Sequence, residues 1–337
     1  MTHEVTLLPG DGIGPEVAAE AVRAINATGV SIAWHRVELS SEVIERTKQS
    51  VPDTVLESME RTRVGLKGPV TTPIAGGYQS VNVALRKKLD LFANVRPVMS
   101  LPGIKTRFDD VKIDLVIFRE NTEDLYSGLE HEVVTDVVTS LKVITRTASI
   151  RIAKYAFNFA RAMKRRKITA IHKANIMKLA DGLFLRCARE VAADYPEVQY
   201  KELIVDNASM QLVMKPESFD LLLLPNLYGD IISDLAAGLV GGLGLVPGAN
   251  MGEKYAIFEA VHGSAPDIAG KGVANPTALM RSGVLLLMHL GETEAANRLM
   301  RAIERVYAEG KTVTPDIGGN ASSGQFTDAV IAAMSCV

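Results

Sequence analysis

The chain has 337 residues, of which 47% are hydrophobic and 23% are charged, and its formal net charge is −2. This balance is typical of a globular protein, and the length predicts about two domains. The weak negative charge without a basic stripe argues against a nucleic-acid partner. Residues 235–247 form an apolar run that is too short and glycine-rich to span a bilayer, so we expect no membrane partner.

The N-terminus and the cysteines bear on the compartment. The chain enters a predicted strand at Val5 without the charged and apolar segments of a signal peptide. Its two cysteines, Cys187 and Cys336, are far apart and lack metal-ligand spacing, so we expect no disulfide framework. We therefore expect a cytoplasmic protein, or one of the mitochondrial matrix only if a transit peptide has been removed.

The first predicted strand, residues 5–8, leads through a glycine loop into a helix. The loop reads Pro9-Gly10-Asp11-Gly12-Ile13-Gly14-Pro15. Its glycines follow GxGxG rather than GxGxxG, and no acidic residue ends a second strand about twenty positions later, as a Rossmann unit requires. The loop is equally well explained as a contact for an anionic group at a helix start or as a tight turn.

Three arginines follow the ends of predicted strands and helices. Arg86 lies on the second turn of a predicted helix that begins at Ser80. Arg96 and Arg119 lie at the ends of predicted strands. Ser80 and Asn82 are placed to bind a ligand, although Ser80 is also a good helix N-cap. Because arginine forks match carboxylates bidentately, the three together favour a polycarboxylate ligand over separate surface salt bridges.

Further strands and helices alternate through the middle of the chain. A predicted strand at 168–171 ends near Lys173, which is a plausible general base or electrostatic group there. A strand at 198–205 ends at Asp206, and the apolar run 221–224 reads as another strand. The alternation predicts an α/β fold with its site along one edge of the sheet.

Asp230 and Asp234 lie four residues apart in a helix predicted over 228–237. This spacing places both carboxylates on one helical face, where they repel each other. Mg²⁺ or Mn²⁺, which prefer oxygen ligands, would relieve the repulsion. A solvated acidic face near a helix N-terminus is the alternative, and the two residues by themselves leave both open.

The C-terminal third contains a strand at 256–259, a small-residue loop at 261–270 and three predicted helices. The loop holds His262 and Asp267, and its backbone N–H groups are suited to a nucleotide. The helices are predicted from residue 275 to 289, from 292 to 307 and from 326 to 334.

These motifs together, from the loop at 9–15 to Thr314-Pro315-Asp316-Ile317-Gly318-Gly319, resemble the β-decarboxylating dehydrogenases, the isocitrate and isopropylmalate dehydrogenase family. The resemblance runs nearly end to end. It implies an α/β fold of two domains with a mixed central sheet, outside the Rossmann class. Residues 1–98 and 252–337 would form the large, cofactor-binding domain. Residues 99–251 would form the small domain, which carries metal and substrate groups and makes a homodimer.

The segment Ser80-x-Asn82-x-x-x-Arg86 is similar to that of isocitrate dehydrogenases, whereas isopropylmalate enzymes carry an apolar, leucine-containing segment there. Residues 205–213 also look like the homoisocitrate and isopropylmalate branches. The resemblance thus implies oxidative decarboxylation of isocitrate to 2-oxoglutarate and CO₂. The alternatives are homoisocitrate or 3-isopropylmalate dehydrogenase, or a non-catalytic regulatory subunit of an NAD-dependent isocitrate dehydrogenase.

The resemblance also implies roles for individual residues. Lys173 would take the hydroxyl proton and Tyr126 would protonate the product enol, with the two coming from different subunits. An acidic residue at Asp267 would accept from the ribose 2′-hydroxyl and repel a 2′-phosphate, which implies NAD. The binding groups are Ser80, Asn82, Arg86, Arg96 and Arg119 for substrate; Asp206, Asp230 and Asp234 for Mg²⁺ or Mn²⁺; and Thr72, His262, Gly263, Asp267, Ile268 and Asn275 for NAD.

Overall fold

The structure is a computed structural model that describes residues 2–72 and 80–335. Met1, residues 73–79 and residues 336–337, which include Cys336, lie outside the described residues. Within the described ranges, no helix is both long enough and apolar enough to cross a membrane.

Strands of the described residues form one large sheet and one separate hairpin. They are β1 (His3–Leu8), β2 (Ile32–Arg36), β3 (Val64–Lys67), β4 (Ala93–Met99), β5 (Asp114–Glu120), β6 (Glu130–Val134), β7 (Val137–Ser140), β8 (Lys167–His172), β9 (Gln199–Ile204), β10 (Leu221–Leu224), β11 (Pro247–Met251) and β12 (Ala256–Ala260). In the described chain the large sheet has ten strands in the order β2-β1-β3-β12-β11-β4-β5-β10-β8-β9, and β6 pairs with β7.

The sheet is mixed. Strand β11 is antiparallel to both β12 and β4, and β4 is antiparallel to β5, whereas the other neighbours are parallel. The predicted α/β class with a mixed central sheet is therefore confirmed.

The helices cover both faces of this sheet. In the described ranges they are α1 (Gly14–Asn26), α2 (Ser41–Thr47), α3 (Asp53–Thr62), α4 (Val81–Lys88), α5 (Arg146–Ala162), α6 (Ala180–Ala192), α7 (Val205–Met214), α8 (Asn226–Leu239), α9 (Thr277–His289), α10 (Thr293–Glu309) and α11 (Ser323–Met334). Strand β10 shows the layering. Leu221 and Leu223 pack in one core with α5 and α6, whereas Leu222 and Leu224 pack in another with α7 and α8. A strand buried on both faces reads as a continuous apolar run.

Two sequence predictions differ in detail from the structure. Arg96 lies in the middle of β4 rather than at a strand end, because the strand continues through Pro97. Proline is accepted there because β11 pairs with β4 only over 93–95, so the missing N–H of Pro97 faces no neighbour. Asp206 lies in the first turn of α7, since Ala208 and Leu212 are buried with helical spacing.

The remaining predicted strands and helices are found, with ends shifted by a few residues. Several elements were not predicted, among them the hairpin β6–β7, whose residues are all exposed. Without a buried face, a strand lacks the apolar alternation that marks it in a sequence.

Candidate active site

A cleft of about 280 Å³ opens where β3, β12, β4 and β5 present polar side chains. It brings together all five predicted substrate groups, the predicted acid, one predicted metal ligand and part of the predicted cofactor site. These lining residues are Thr72, Ser80, Asn82, Arg86, Arg96, Arg119, Tyr126, Asp230, His262 and Gly263.

Sheet register explains why distant charges meet in this cleft. Glu259 of β12 lies opposite Lys67 of β3, and Asn94 of β4 lies opposite Arg119 of β5. Asn250 of β11 pairs with Asn94 and donates a hydrogen bond of 2.7 Å to Glu259. The strands therefore set these groups in a row across the sheet.

Arg119 is held at the centre of the cleft. It is 1% exposed, its Nε donates to Asn226 at 2.9 Å, and its Nη1 pairs with Asp230. Among the described residues, its Nη2 has no hydrogen-bond partner. Burial, followed by repulsion from Arg96 and Arg86, lowers the pKa of Arg119 to about 10. A buried, partly unpaired guanidinium beside other cations is suited to an anionic ligand.

Arg96 reaches both carboxylates of α8. Its Nη2 lies 3.5 Å from Asp230 Oδ1 and its Nη1 lies 3.4 Å from Asp234 Oδ1. Its Nε donates to Asn94 at 2.8 Å. Arg96 therefore connects the cationic side of the cleft to the acidic face of α8.

Lys67 and Glu259 are buried charges of the cleft that the sequence analysis missed. Lys67 Nζ lies 2.6 Å from Glu259 Oε2, and Arg86 Nη2 lies 3.2 Å from Glu259 Oε1. Burial by itself would raise the pKa of Glu259, but attraction to Lys67 and Arg86 outweighs it and holds the pKa below its ordinary value. A sequence pattern could have identified both residues, because each charge lies near the end of an otherwise apolar strand.

Tyr126 donates a hydrogen bond to Asp230 Oδ2. The Arg119 guanidinium lies over the Tyr126 ring, with its Cζ 4.9 Å from the ring centroid. Burial, followed by the contact with Asp230, raises the pKa of Tyr126. The phenol is thus kept protonated at neutral pH, as a proton donor must be.

Asp230 lines the cleft and Asp234 lies one helical turn further along α8, and their side chains are 36% and 56% exposed. Burial raises the pKa of Asp230, but Arg119 and Arg96 more than reverse this and lower it. Exposed carboxylate oxygens beside a site for an anionic ligand fit a hard divalent cation. Within one chain, the described residues form no group of three metal-ligating side chains, so Asp206 does not join this pair.

Lys173 and Asp206 instead form a pair away from the cleft. Lys173 Nζ lies 2.9 Å from Asp206 Oδ2, and Asp206 is 68% exposed. In the part of the chain that the structure describes, neither residue lines the cleft. The predicted base and the third predicted metal ligand therefore lie together, outside the cleft of the same chain.

Ser80 and Asn82 stand at the start of α4 and line the cleft. Ser80 occupies the N-cap position, but among described atoms its side chain makes no capping hydrogen bond. Asn82 Oδ1 is buried and, over residues 2–72 and 80–335, has no hydrogen-bond partner. A buried polar atom normally has a partner, so a ligand would complete this segment.

The predicted NAD groups lie at the rim of the cleft and beyond it. His262 Nε2 is buried without a partner in the described residues, which leaves a ring nitrogen for a ligand. Asp267 and Ile268 lie exposed in the short turn Pro266–Ile268, while Asn275 already donates to Tyr307 at 3.1 Å and Asp316 at 3.0 Å. The loop thus offers polar groups along one side of the cleft.

Comparison with known proteins gives one family match and many relatives. The model of the "Isocitrate/isopropylmalate dehydrogenase" family matches residues 4–330. The chain is 56% identical to "Isocitrate dehydrogenase [NAD] catalytic subunit 5, mitochondrial" of Arabidopsis thaliana, over 96% of this chain and 87% of that protein. It is also 56% identical to "3-isopropylmalate dehydrogenase, chloroplastic" of Solanum tuberosum, over 91% and 85%.

A relative of a different named role matches as well. A mitochondrial protein of Dictyostelium discoideum, named as a regulatory subunit of NAD isocitrate dehydrogenase, is 50% identical over 98% of this chain and 91% of that protein. Among solved structures, isocitrate dehydrogenase from Methylococcus capsulatus superposes with a TM-score of 0.95 at 48% identity, covering 98% of this chain and 99% of that one. These matches confirm the family resemblance seen in the sequence and its fold.

Proposed function

The chain belongs to the isocitrate/isopropylmalate dehydrogenase family, and on that premise we propose that it converts isocitrate to 2-oxoglutarate and CO₂ with NAD and Mg²⁺ or Mn²⁺. The observation that carries the choice of substrate is the polar α4 segment, where the unpaired Asn82 Oδ1 and Ser80 face the same cleft as the three arginines.

Charge and polarity favour isocitrate over isopropylmalate. Isocitrate carries a third carboxylate where isopropylmalate carries an isopropyl group. Arg86, Arg96 and Arg119 supply guanidinium groups, and Ser80 and Asn82 supply polar atoms at the cleft wall. An isopropyl group against Asn82 would leave a buried polar atom unpaired, which binding sites avoid.

Asp230 and Asp234 would hold the divalent cation together with Asp206 of a second subunit. When bound, the cation lowers the pKa of the substrate hydroxyl and withdraws electrons from the carbonyl that replaces it, while NAD accepts the hydride. Arg96 and Arg119 orient the substrate carboxylates and keep Asp230 ionised.

Two protein groups move protons in this proposal. Lys173, as a neutral amine, would receive the proton of the substrate hydroxyl as the ketone forms, and the resulting ammonium is the form that donates a hydrogen bond to Asp206. Tyr126, whose pKa is raised, retains its proton and delivers it to the carbon that has lost CO₂.

The separation of two half-sites, the cleft and the pair of Lys173 and Asp206, favours a dimer with shared active sites. Exposed apolar side chains follow Lys173 and Asp206 closely in the chain, and a second subunit would cover them. These are Ile176 (69% exposed), Leu179 (87%), Met210 (53%) and Met214 (65%). We propose a homodimer in which Lys173 of one chain completes the cleft of the other, and the relatives named as subunits make a heteromer the alternative.

We also propose the division into a large domain, residues 1–98 and 252–337, and a small domain, residues 99–251. The cleft takes groups from both, for example Arg86 and Arg119. The cytoplasmic location stays a prediction, and the mitochondrial names of relatives favour its alternative, the matrix.

A regulatory role is the second candidate, favoured by the named Dictyostelium relative. Against it, Tyr126, Lys173, the three arginines and the three aspartates are all present. NAD-linked isocitrate turnover by the chain expressed alone would support the catalytic proposal, and its absence would support the regulatory one.

The deciding experiment is a panel of isocitrate, homoisocitrate and 3-isopropylmalate, each with NAD and with NADP in the presence of Mg²⁺. We expect the highest kcat/KM for isocitrate with NAD. A higher value for either other substrate would refute the choice of isocitrate.

A further inference from the structure

A buried charged cluster, which we call the Lys142 cluster, consists of Lys142, Asp124 and Asp181. Lys142 Nζ lies 2.6 Å from Asp181 Oδ1 and 3.7 Å from Asp124 Oδ1. Both aspartate side chains are fully buried, and that of Lys142 is 10% exposed. Its ammonium also lies 4.2 Å from the ring centroid of Tyr228. One ammonium thus compensates two buried carboxylates.

One arm of the cluster holds the proposed base. The second oxygen of Asp181 accepts a hydrogen bond of 2.6 Å from the backbone N–H of Lys173. Asp181 lies near the start of α6, and Lys173 directly follows β8. The carboxylate therefore fixes the chain where β8 ends and Lys173 projects.

The other arm holds the Tyr126 and Asp230 half. Asp124 Oδ2 accepts a hydrogen bond of 2.9 Å from the N–H of Leu227 in the first turn of α8, the helix that carries Asp230. Asp124 itself has φ of +71°, a conformation that side-chain-bearing residues avoid, and stands two positions before Tyr126. Such backbone strain persists only where surrounding contacts hold it.

We propose that Lys142 is a positioning residue that joins the two half-sites of the chain. This inference rests on the proposed function, which assigns Lys173 to one active site of the dimer and Tyr126 with Asp230 to the other. Without the ammonium, Asp124 and Asp181 repel each other in a buried setting, where unpaired charge is strongly unfavourable. Each carboxylate then moves toward solvent, and the backbone segment that it holds moves with it.

Lys142 does not line the cleft in the described part of the chain, so it acts through these segments rather than on the substrate. Loss of the Lys142 charge in one chain displaces the group that this chain supplies to each of the two active sites. A shift of about 1 Å in a catalytic group lowers turnover by about a hundredfold. The loop at residues 261–270, which is proposed to bind NAD, is not part of these segments, so we expect the affinity for NAD to be unchanged.

The test compares Lys142→Met with Lys142→Arg and with Lys154→Met, an exposed lysine of α5. We expect Lys142→Met to lower kcat by about tenfold to a hundredfold with KM for NAD within about twofold of the wild type. Lys142→Arg, which keeps the charge, should recover much of kcat, and Lys154→Met should match the wild type. Unchanged kcat in Lys142→Met, or a loss that Lys142→Arg does not reduce, would overturn the proposal.

Asp181→Asn decides the case in which Lys142→Met does not fold, because it keeps the side-chain shape and leaves Lys142 paired with Asp124. Folded Asp181→Asn with wild-type kcat would overturn the proposal, and a lowered kcat with unchanged KM for NAD would support it. If the wild type itself shows no isocitrate turnover in this assay, the proposed function fails instead.

Hybrid dimers separate the two arms. When a Lys142→Met subunit is paired with a Tyr126→Phe subunit, the one remaining active site takes Tyr126 from the Lys142→Met subunit. Its activity therefore depends on the Asp124 arm of that subunit. When the Lys142→Met subunit is paired with a Lys173→Met subunit, the one remaining active site takes Lys173 from the Lys142→Met subunit. Its activity therefore depends on the Asp181 arm. We expect both hybrids to be slower than those made with wild-type subunits. A loss confined to one hybrid would contradict the joining role.

Discussion

Tyr126 donates its phenolic hydrogen bond to Asp230, a residue 104 positions later in the chain. Arg119 pairs with the other oxygen of the same carboxylate. The proposed proton donor and a proposed metal ligand are therefore held by one arginine, at the junction of β5 and α8. This arrangement keeps the phenol protonated and the carboxylate ionised, which is the division of roles that the proposed reaction requires.

Asp230→Asn should impair metal-dependent turnover. The amide removes a negative charge from the proposed cation site while keeping the side-chain shape, so we expect kcat/KM to fall by about a hundredfold or more. The Mg²⁺ concentration for half-maximal activity should rise, as measured by metal titration at saturating isocitrate. Asp328→Asn is the control, because Asp328 is an exposed partner of Arg23. An unchanged Mg²⁺ dependence in Asp230→Asn would rule out its role as a ligand.

Gly229→Ala should displace Arg119. A Cβ at Gly229 would lie 2.5 Å from Arg119 Cγ and 2.6 Å from its Cβ. Overpacking of this kind destabilises a protein by about 1–3 kcal/mol, and isocitrate binding should weaken. Gly238→Ala in the same helix is the matched control, since no described atom beyond its chain neighbours and the adjacent helix backbone lies within 4 Å of its added Cβ. Stability in denaturant unfolding and KM for isocitrate should both worsen in Gly229→Ala, and neither should worsen in Gly238→Ala.

Asp267→Asn should relax the choice of cofactor. In the proposed function the exposed Asp267 carboxylate would repel the 2′-phosphate of NADP, and the amide would remove that repulsion. We expect the ratio of kcat/KM for NADP to that for NAD to rise by about tenfold, at low ionic strength, where surface charges interact most strongly. Asp194→Asn, an exposed carboxylate outside the described cleft, should leave the ratio unchanged. A constant ratio in Asp267→Asn would place cofactor selection elsewhere.

Glu123 should make stability depend on pH. Burial raises its pKa from 4.5 to about 7, since it outweighs the two opposing hydrogen bonds from Thr145, and repulsion by Glu120 and Asp124 adds smaller contributions. As pH rises from about 4.5 to 7, the unfolded state loses this proton before the folded state does, so the free energy of unfolding falls. The contribution to the free energy of unfolding is on the order of 3 kcal/mol.

Glu123→Gln removes that titration. Its free energy of unfolding, measured by urea titration from pH 5 to 8, should decline less with pH than that of the wild type. Parallel pH profiles for the two proteins would show that Glu123 does not titrate in this range.

The sequence predicted most of the fold and nearly all groups of the cleft, because buried strands and the charged residues near their ends leave a local signal. It missed Lys67 and Glu259, whose pairing depends on the register between β3 and β12. Register is a long-range property that no local pattern contains. The same holds for Lys142, because only the folded chain places Asp124 and Asp181 beside it.

The separation of Lys173 and Asp206 from the cleft was also beyond local patterns. Residue spacing shows that a lysine and an aspartate follow neighbouring strands, but it does not show which way β8 and α7 face. The resemblance to a family supplied the shared-site expectation, and the geometry of a single chain gives it a physical basis.

Complementation between two inactive subunits tests the shared-site account most directly. Tyr126→Phe and Lys173→Met are purified separately, and each is expected to be nearly inactive with isocitrate, NAD and Mg²⁺. A mixed dimer places both substitutions in one active site and leaves the other intact, so about half of wild-type activity should return, or about a quarter after random mixing of subunits. Mixed dimers that stay as inactive as their parents would contradict a site completed by Lys173 of the second chain.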